Sequence, residues 1–160
     1  MPAIAVSQVG KEVCAFLDML AVSELTAAVI AESDNGYNVL VGSVPGKIRT
    51  FASYASHPAI FNAELDSTAA GRYQLLARYW EPYCKILGLH DFTPLSQDLI
   101  AIQQIKERGV YQQIQRGAIA AAIAGVSNIW ASLPGSPYGQ RTNSLDMLLD
   151  VYRQHGGMVA

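Results

Sequence analysis

Two cysteines in 160 residues, Cys14 and Cys84, stand 70 positions apart and form no CxxC pair. A disulfide framework or a zinc ribbon is thereby excluded, and both are expected to be reduced, buried thiols. The histidines His57, His90 and His155 are isolated and lack the spacing of metal ligands. GxSxG, Walker and GxGxxG loops are all missing, so no nucleotide, flavin or esterase chemistry is indicated and no cofactor is expected. Neither cysteine has a histidine near it in sequence, so nothing motivates a cysteine peptidase. Charge is scarce at 15% of residues, and the net charge of −2 with a pI near 5.8 lacks the basic footprint of a nucleic-acid binder. Mean hydropathy is +0.18, yet the longest apolar-rich run without a charge, residues 117–130, is too short to cross a bilayer. Lys11, Glu12 and Asp18 interrupt the first apolar stretches, so no signal peptide is read and folding in a cytoplasm, without membrane insertion, is expected.

What the chain does have is apolar content. At 51% it supports one well-packed core, so residues 1–160 are expected to form a single domain, with flexible ends at about 1–10 and 158–160. Val13, Phe16, Leu17, Leu20 and Glu24 fall at i, i+3, i+4, i+7 and i+11, one stripe of an amphipathic helix over 9–25 that ends in a carboxylate. Residues 27–31, AAVIA, read equally as a continuation or as an apolar loop. Asp34-Asn35-Gly36 and Pro45-Gly46 are turn signals flanking strand candidates at 37–41 and 48–54, which predicts a small hairpin or sheet. Ser67 or Thr68 is read as the cap of a helix running to Leu87, closed by Gly88 and kinked or split at Pro82. Thr93-Pro94 opens another helix. A short one is placed at 110–116, one buried on nearly all sides at 118–126, and a last from Asn143 or Ser144 to Gly156. The fold class is therefore α+β with a helical majority.

Glu24 is the first candidate for chemistry. A carboxylate on the apolar side of a helix is desolvated, and the protonated acid can then donate to a leaving group. The alternative is a helix-end glutamate turned clear of the core. Glu32 and Asp34 follow, and paired carboxylates are the usual equipment for breaking glycosidic bonds, although Asp34-Asn35-Gly36 also reads as a solvated turn. Gly71-Arg72-Tyr73-Gln74 brings an aromatic ring and an amide together, groups that bind sugars, or is ordinary helix. Residues 127–140, SNIWASLPGSPYGQ, form the densest polar and aromatic segment, either a binding wall or a packed connector.

Seven segments in order then carry a resemblance: AFLDMLAVSE (15–24), GYNVLVG (36–42), Phe51, Tyr54, His57 and Pro58 in an F-x-x-Y-x-x-HP pattern, STAAGRYQLL (67–76), LGLHDFTPLSQD (87–98), AIQQIKERG (101–109) and SNIWASLPGSPYGQ (127–140). Over residues 13–157 the chain resembles the phage lambda-type endolysins, the lambda lytic transglycosylase family of peptidoglycan-cleaving enzymes. The resemblance implies a lysozyme-like α+β fold, mostly helical, with a small β-sheet lobe and a cleft between lobes. It implies the peptidoglycan glycan strand as substrate and the bond between N-acetylmuramic acid and N-acetylglucosamine as the one cut. Glu24 matches the family's catalytic glutamate. Gln74, Tyr138 and Gln140 match its sugar-contacting positions, with further roles for Tyr73 and Ser132. The implied mechanism closes a 1,6-anhydro ring and needs no second carboxylate. A hydrolytic muramidase using Glu24 with Glu32 or Asp34, and a degenerate glycan-binding protein, are the competing readings. A host-cytoplasmic monomer that reaches the wall through a holin follows from the same resemblance. The family has glycine where this chain has Leu25, so strain is expected at Leu25 if that position needs a positive φ.

Charge is unevenly placed. Residues 1–66 carry three cations and seven anions, and residues 67–160 carry eight and six. Negative neighbours disfavour ionisation of a carboxylic acid, so Glu32 and Asp34 are expected to help keep Glu24 protonated.

Overall fold

The computed structural model describes residues 1–139 and 141–160. They form two compact units, Met1–Glu24 with Ala101–Ala160, and Leu25–Ile100. Among the described residues, no helix is long and apolar enough to cross a membrane.

The first unit is helical. Helix α1 (Val6–Val9) leads into α2 (Lys11–Leu25). On α2, Val13, Phe16, Leu17 and Leu20 are fully buried, as their spacing predicts, and each contributes about 2 kcal/mol by leaving water. Near the chain ends, Ile4 is buried, the Met158 N–H donates to Glu12 Oε2 at 3.2 Å, and the Ala160 N–H donates to the Gly117 carbonyl at 3.0 Å. Helix α6 (Tyr111–Gln115) and helix α7 (Ile119–Val126) pack together. Helix α7 buries one face only, through Ile119, Ala122, Ile123 and Val126. Its other face is alanine and glycine in solvent, so the all-round apolar composition reflects small side chains and not all-round burial. Helix α8 (Leu145–Gln154) starts at Ser144, whose hydroxyl accepts from the Met147 N–H at 3.3 Å, and it buries Leu148 and Tyr152.

The second unit departs most from expectation. The strand candidates do pair, but only as isolated antiparallel bridges: Val39 with Thr50, Leu40 with Ala70, Val44 with Lys47, Asn62 with Ser67 and Ala70 with Leu75. No continuous strand ladder forms among the described residues, so the expected β-sheet lobe is replaced by bridged turns. The reason is local. The Ser43 hydroxyl accepts from the Arg49 N–H at 2.9 Å and donates to the Leu40 carbonyl at 2.8 Å, taking groups that a ladder would use. Gly36, Gly42, Gly46 and Gly71, all at positive φ, turn the chain every few residues.

Helix α3 (Ala27–Ala31) resolves the AAVIA segment as a separate short helix, with Val29 buried. The helix expected from Ser67 starts ten residues later, as α4 (Ala77–Leu87). Residues 67–76 are taken up by bridges and by the turn at Gly71–Gln74, while the Thr68 hydroxyl still accepts from the Ala77 N–H at 3.0 Å. Helix α4 runs unbroken through Pro82 and ends at left-handed Gly88. Helix α5 (Pro94–Glu107) begins as its proline predicts, next to Asp91, whose carboxylate gathers the Thr93 N–H and the Thr93 and Ser96 hydroxyls. These bonds hold the Asp91 carboxyl below the usual range. An aromatic cluster of Phe51, Tyr54, Trp80 and Phe92, with Leu40, Leu75 and Ile100, fills the unit's interior.

Candidate functional site

In the first unit the end of α2 and the segment 127–139 bring Glu24 and Ser132 together. Trp130 and Leu133 are buried and anchor that segment, which places Ser132 between two fixed points. The Ser132 hydroxyl donates to Glu24 Oε1 at 2.5 Å. The Ser23 hydroxyl lies 2.7 Å from that of Ser132. Asn143 closes the group: its amide donates to the Ser23 carbonyl at 3.1 Å and to the Ser23 hydroxyl at 3.0 Å. Its backbone N–H donates to the Ser132 carbonyl at 2.8 Å.

Glu24 is half-buried, and that burial pushes its carboxyl above the usual range against the lowering effect of hydrogen bonding from Ser132. Neighbouring carboxylates are not what raises it, so the charge argument for Glu32 and Asp34 fails. Those two side chains are exposed and engaged in the second unit. Glu32 Oε2 accepts from the Gly46 N–H at 2.8 Å, and Asp34 Oδ2 accepts from the Tyr54 hydroxyl at 2.5 Å. Leu25 is unstrained, because α2 continues through it and its side chain packs with Val29 and Val39. The positive φ falls one residue later, on Thr26 at φ 71° and ψ 152°, a region that costs a β-branched residue about 1–3 kcal/mol.

Tyr138 is exposed, and its hydroxyl donates to the Asn128 carbonyl at 2.7 Å, folding the 127–139 segment back on itself. Gln140, expected beside it, lies outside the described residues.

The Gly71–Gln74 turn belongs to the second unit. Gly71 sits at φ 80°, and any Cβ there would collide with the Gln97 side-chain oxygen. Gln97 clamps the turn: its oxygen accepts from the Arg72 N–H at 2.9 Å, and its amide donates to the carbonyls of Tyr37 at 3.0 Å and Phe92 at 2.9 Å. Tyr73, expected at a sugar, is instead 5% exposed, and its hydroxyl donates to buried Asp98 at 2.7 Å, beside the Tyr37 hydroxyl at 2.8 Å. A ring held this way supports the turn and does not present itself to a ligand. Gln74 is half-buried at φ 51°, with its amide on the Gly71 carbonyl at 2.9 Å. A left-handed glutamine costs about 1 kcal/mol or more, a strain of the kind that collects at functional positions.

The sequence does not mark Asn143 as the partner of Ser23 and Ser132 beside Glu24. Thr142-Asn143-Ser144 reads locally as a helix cap, and a contact across 120 residues leaves no local signal.

Among known proteins, the endolysin family model matches residues 14–159. The endolysin of Escherichia phage P2 is 48% identical over 168 aligned positions that span all of both chains. The endolysin of Escherichia phage lambda is 50% identical over 149, 91% of each chain. The structure is similar to that of bacteriophage lambda lysozyme complexed with a chitohexasaccharide, with a TM-score of 0.87, 47% identity, and coverage of 95% of this chain and 98% of that one. A second lambda lysozyme structure matches at a TM-score of 0.81 and 45% identity over the same shares. Family model, sequence and structure agree across nearly the full length, and the chain belongs to the endolysin family.

Proposed function

We propose that this endolysin is a lytic transglycosylase that cuts the peptidoglycan bond between N-acetylmuramic acid and N-acetylglucosamine. The observation that carries the reading is Glu24: a half-buried carboxyl, raised in pKa by that burial, held by the Ser132 hydrogen bond at the end of a rigid helix. Such a group keeps its proton to higher pH than an exposed carboxyl does and can pass it to the glycosidic oxygen as the C1–O bond breaks. The Glu24 carboxylate then takes the proton of the muramic acid C6 hydroxyl as that oxygen bonds to C1 and closes the 1,6-anhydro ring. No water is consumed. An attacking group carried by the substrate has an effective molarity of up to about 10⁵–10⁸ M, so a second carboxylate to activate water is unnecessary. The separate engagements of Glu32 and Asp34 are in keeping with this. The chitohexasaccharide bound by the lambda lysozyme supports a β-linked amino-sugar chain as ligand. Contacts to it from Gln74, Ser132, Tyr138 and Gln140 form part of the proposal.

Mass analysis of digested peptidoglycan tests the reaction. Product ends lighter by one water are expected. Reducing ends would establish a hydrolytic muramidase instead, and wall binding without products would establish a glycan-binding protein. In its biological setting the chain is proposed to act as a monomer, held in the host cytoplasm until a holin opens the inner membrane.

A further inference from the structure

We propose that Asn143 and Ser23 are positioning residues that aim the proton of Glu24, through a one-way hydrogen-bond chain that keeps Glu24 Oε1 an acceptor and the acidic proton on Oε2. The proposal rests on the reading of Glu24 as proton donor.

The direction of the chain follows from its far end. The Ser23 carbonyl can only accept, so the Asn143 atom 3.1 Å from it is the amide nitrogen. The same NH₂ lies 3.0 Å from the Ser23 hydroxyl oxygen and donates to it. Ser23 then passes its own proton to the Ser132 oxygen at 2.7 Å, and Ser132 passes its proton to Glu24 Oε1 at 2.5 Å. In the opposite direction, Glu24 would donate to Ser132 and Ser132 to Ser23. The Ser23 oxygen would then receive two donors, while its own proton found no acceptor among the described residues. Ser23 is 7% exposed, and a buried donor left unmade costs about 1–3 kcal/mol. One direction therefore dominates.

The arrangement is also closed on itself. The Asn143 N–H donates to the Ser132 carbonyl, so the residue that begins the chain is tied to the residue that delivers it. Asn143 immediately precedes Ser144, the cap of α8, which fixes the backbone it stands on. An oxygen that accepts from Ser132 is a poor site for the acid proton, which leaves the other oxygen to carry it. Neither Asn143 nor Ser23 needs to touch the glycan to have this effect.

The test measures kcat and KM on soluble glycan strands for the parent, Ser23→Ala, Asn143→Ala, the double variant and Glu24→Gln, each checked for folding by its thermal midpoint. Each single variant is expected to lose about tenfold to hundredfold in kcat with KM unchanged, the upper end being what a misplacement of about 1 Å costs. The double variant should lose no more than the worse single, because both act along one path. Multiplicative losses in the double variant, or a raised KM at parental kcat, would overturn the proposal. Should Asn143→Ala not fold, Ser23→Ala decides by itself, and parental kcat there refutes the chain. Glu24→Gln separates the two layers. If it is inactive while Ser23→Ala and Asn143→Ala keep full kcat, the chain alone is wrong. If it stays active, the proton-donor reading falls and the chain falls with it.

Discussion

A carboxyl group gives up its proton reluctantly when water is kept from it and when a negative dipole end lies close, and both conditions meet at Glu24. It is half-buried and stands next to last on α2, where the helix presents its negative pole. A carboxyl whose folded pKa is raised stabilises the fold fully only below its unfolded pKa, and that contribution is lost as pH rises through the folded value. Glu24→Gln, which keeps the acceptor for Ser132 and never ionises, is therefore expected to melt above the parent at pH 7, with the gap closing as pH falls. Thermal midpoints across pH check this, and a variant melting below the parent throughout would contradict it. At this scale the sequence was informative where the cause is periodic and silent where it is not. Helical spacing placed Glu24 on the apolar stripe. Nothing local distinguished Asn143 from any other residue ahead of a helix, and nothing local showed that the strain near Leu25 would settle on Thr26.

Elements were legible wherever burial repeats along the chain. Helices α2, α5, α6, α7 and α8 lie within a few residues of their expected spans. The failures are in the second unit, where side chains substitute for backbone partners. Ser43 intercepts the ladder and Gln97 clamps the Gly71–Gln74 turn, both through contacts that no hydrophobic pattern encodes. His57 joins two such segments. Its Nε2 bonds the Leu75 carbonyl at 2.8 Å, its Nδ1 accepts from the Ala59 N–H at 3.0 Å, and its ring packs against Phe92. The acceptor role at Nδ1 requires the neutral ring, and burial holds its pKa below the ordinary value. The unfolded chain takes up this proton near pH 6.5 and the folded chain does not, so stability from this site is complete above about pH 6.5 and declines as pH falls below it. Urea midpoints of the parent should drop on acidification more steeply than those of His57→Gln, and equal slopes would count against the assignment.

For the molecule as a whole, the charge asymmetry takes a different form once the units are known. Met1–Glu24 with Ala101–Ala160 carries six cations and six anions, whereas Leu25–Ile100 carries five and seven, so the entire net charge of −2 belongs to the second unit. Expressed alone in a Gram-negative cell, the protein is expected to leave the culture turbid until the inner membrane is permeabilised. Prompt lysis without that step would remove the holin from the proposal. The two thiols fall one to each unit. Cys14 is buried in the first unit, and Cys84 is half-buried on α4 of the second. A thiol reagent under native conditions can reach a buried sulfur only when its surroundings open, so its rate of reaction measures the free energy of that opening. Cys14 is thus a built-in chemical clock for the first unit, and half-buried Cys84, which reacts without such opening, supplies the reference rate against which that clock is read.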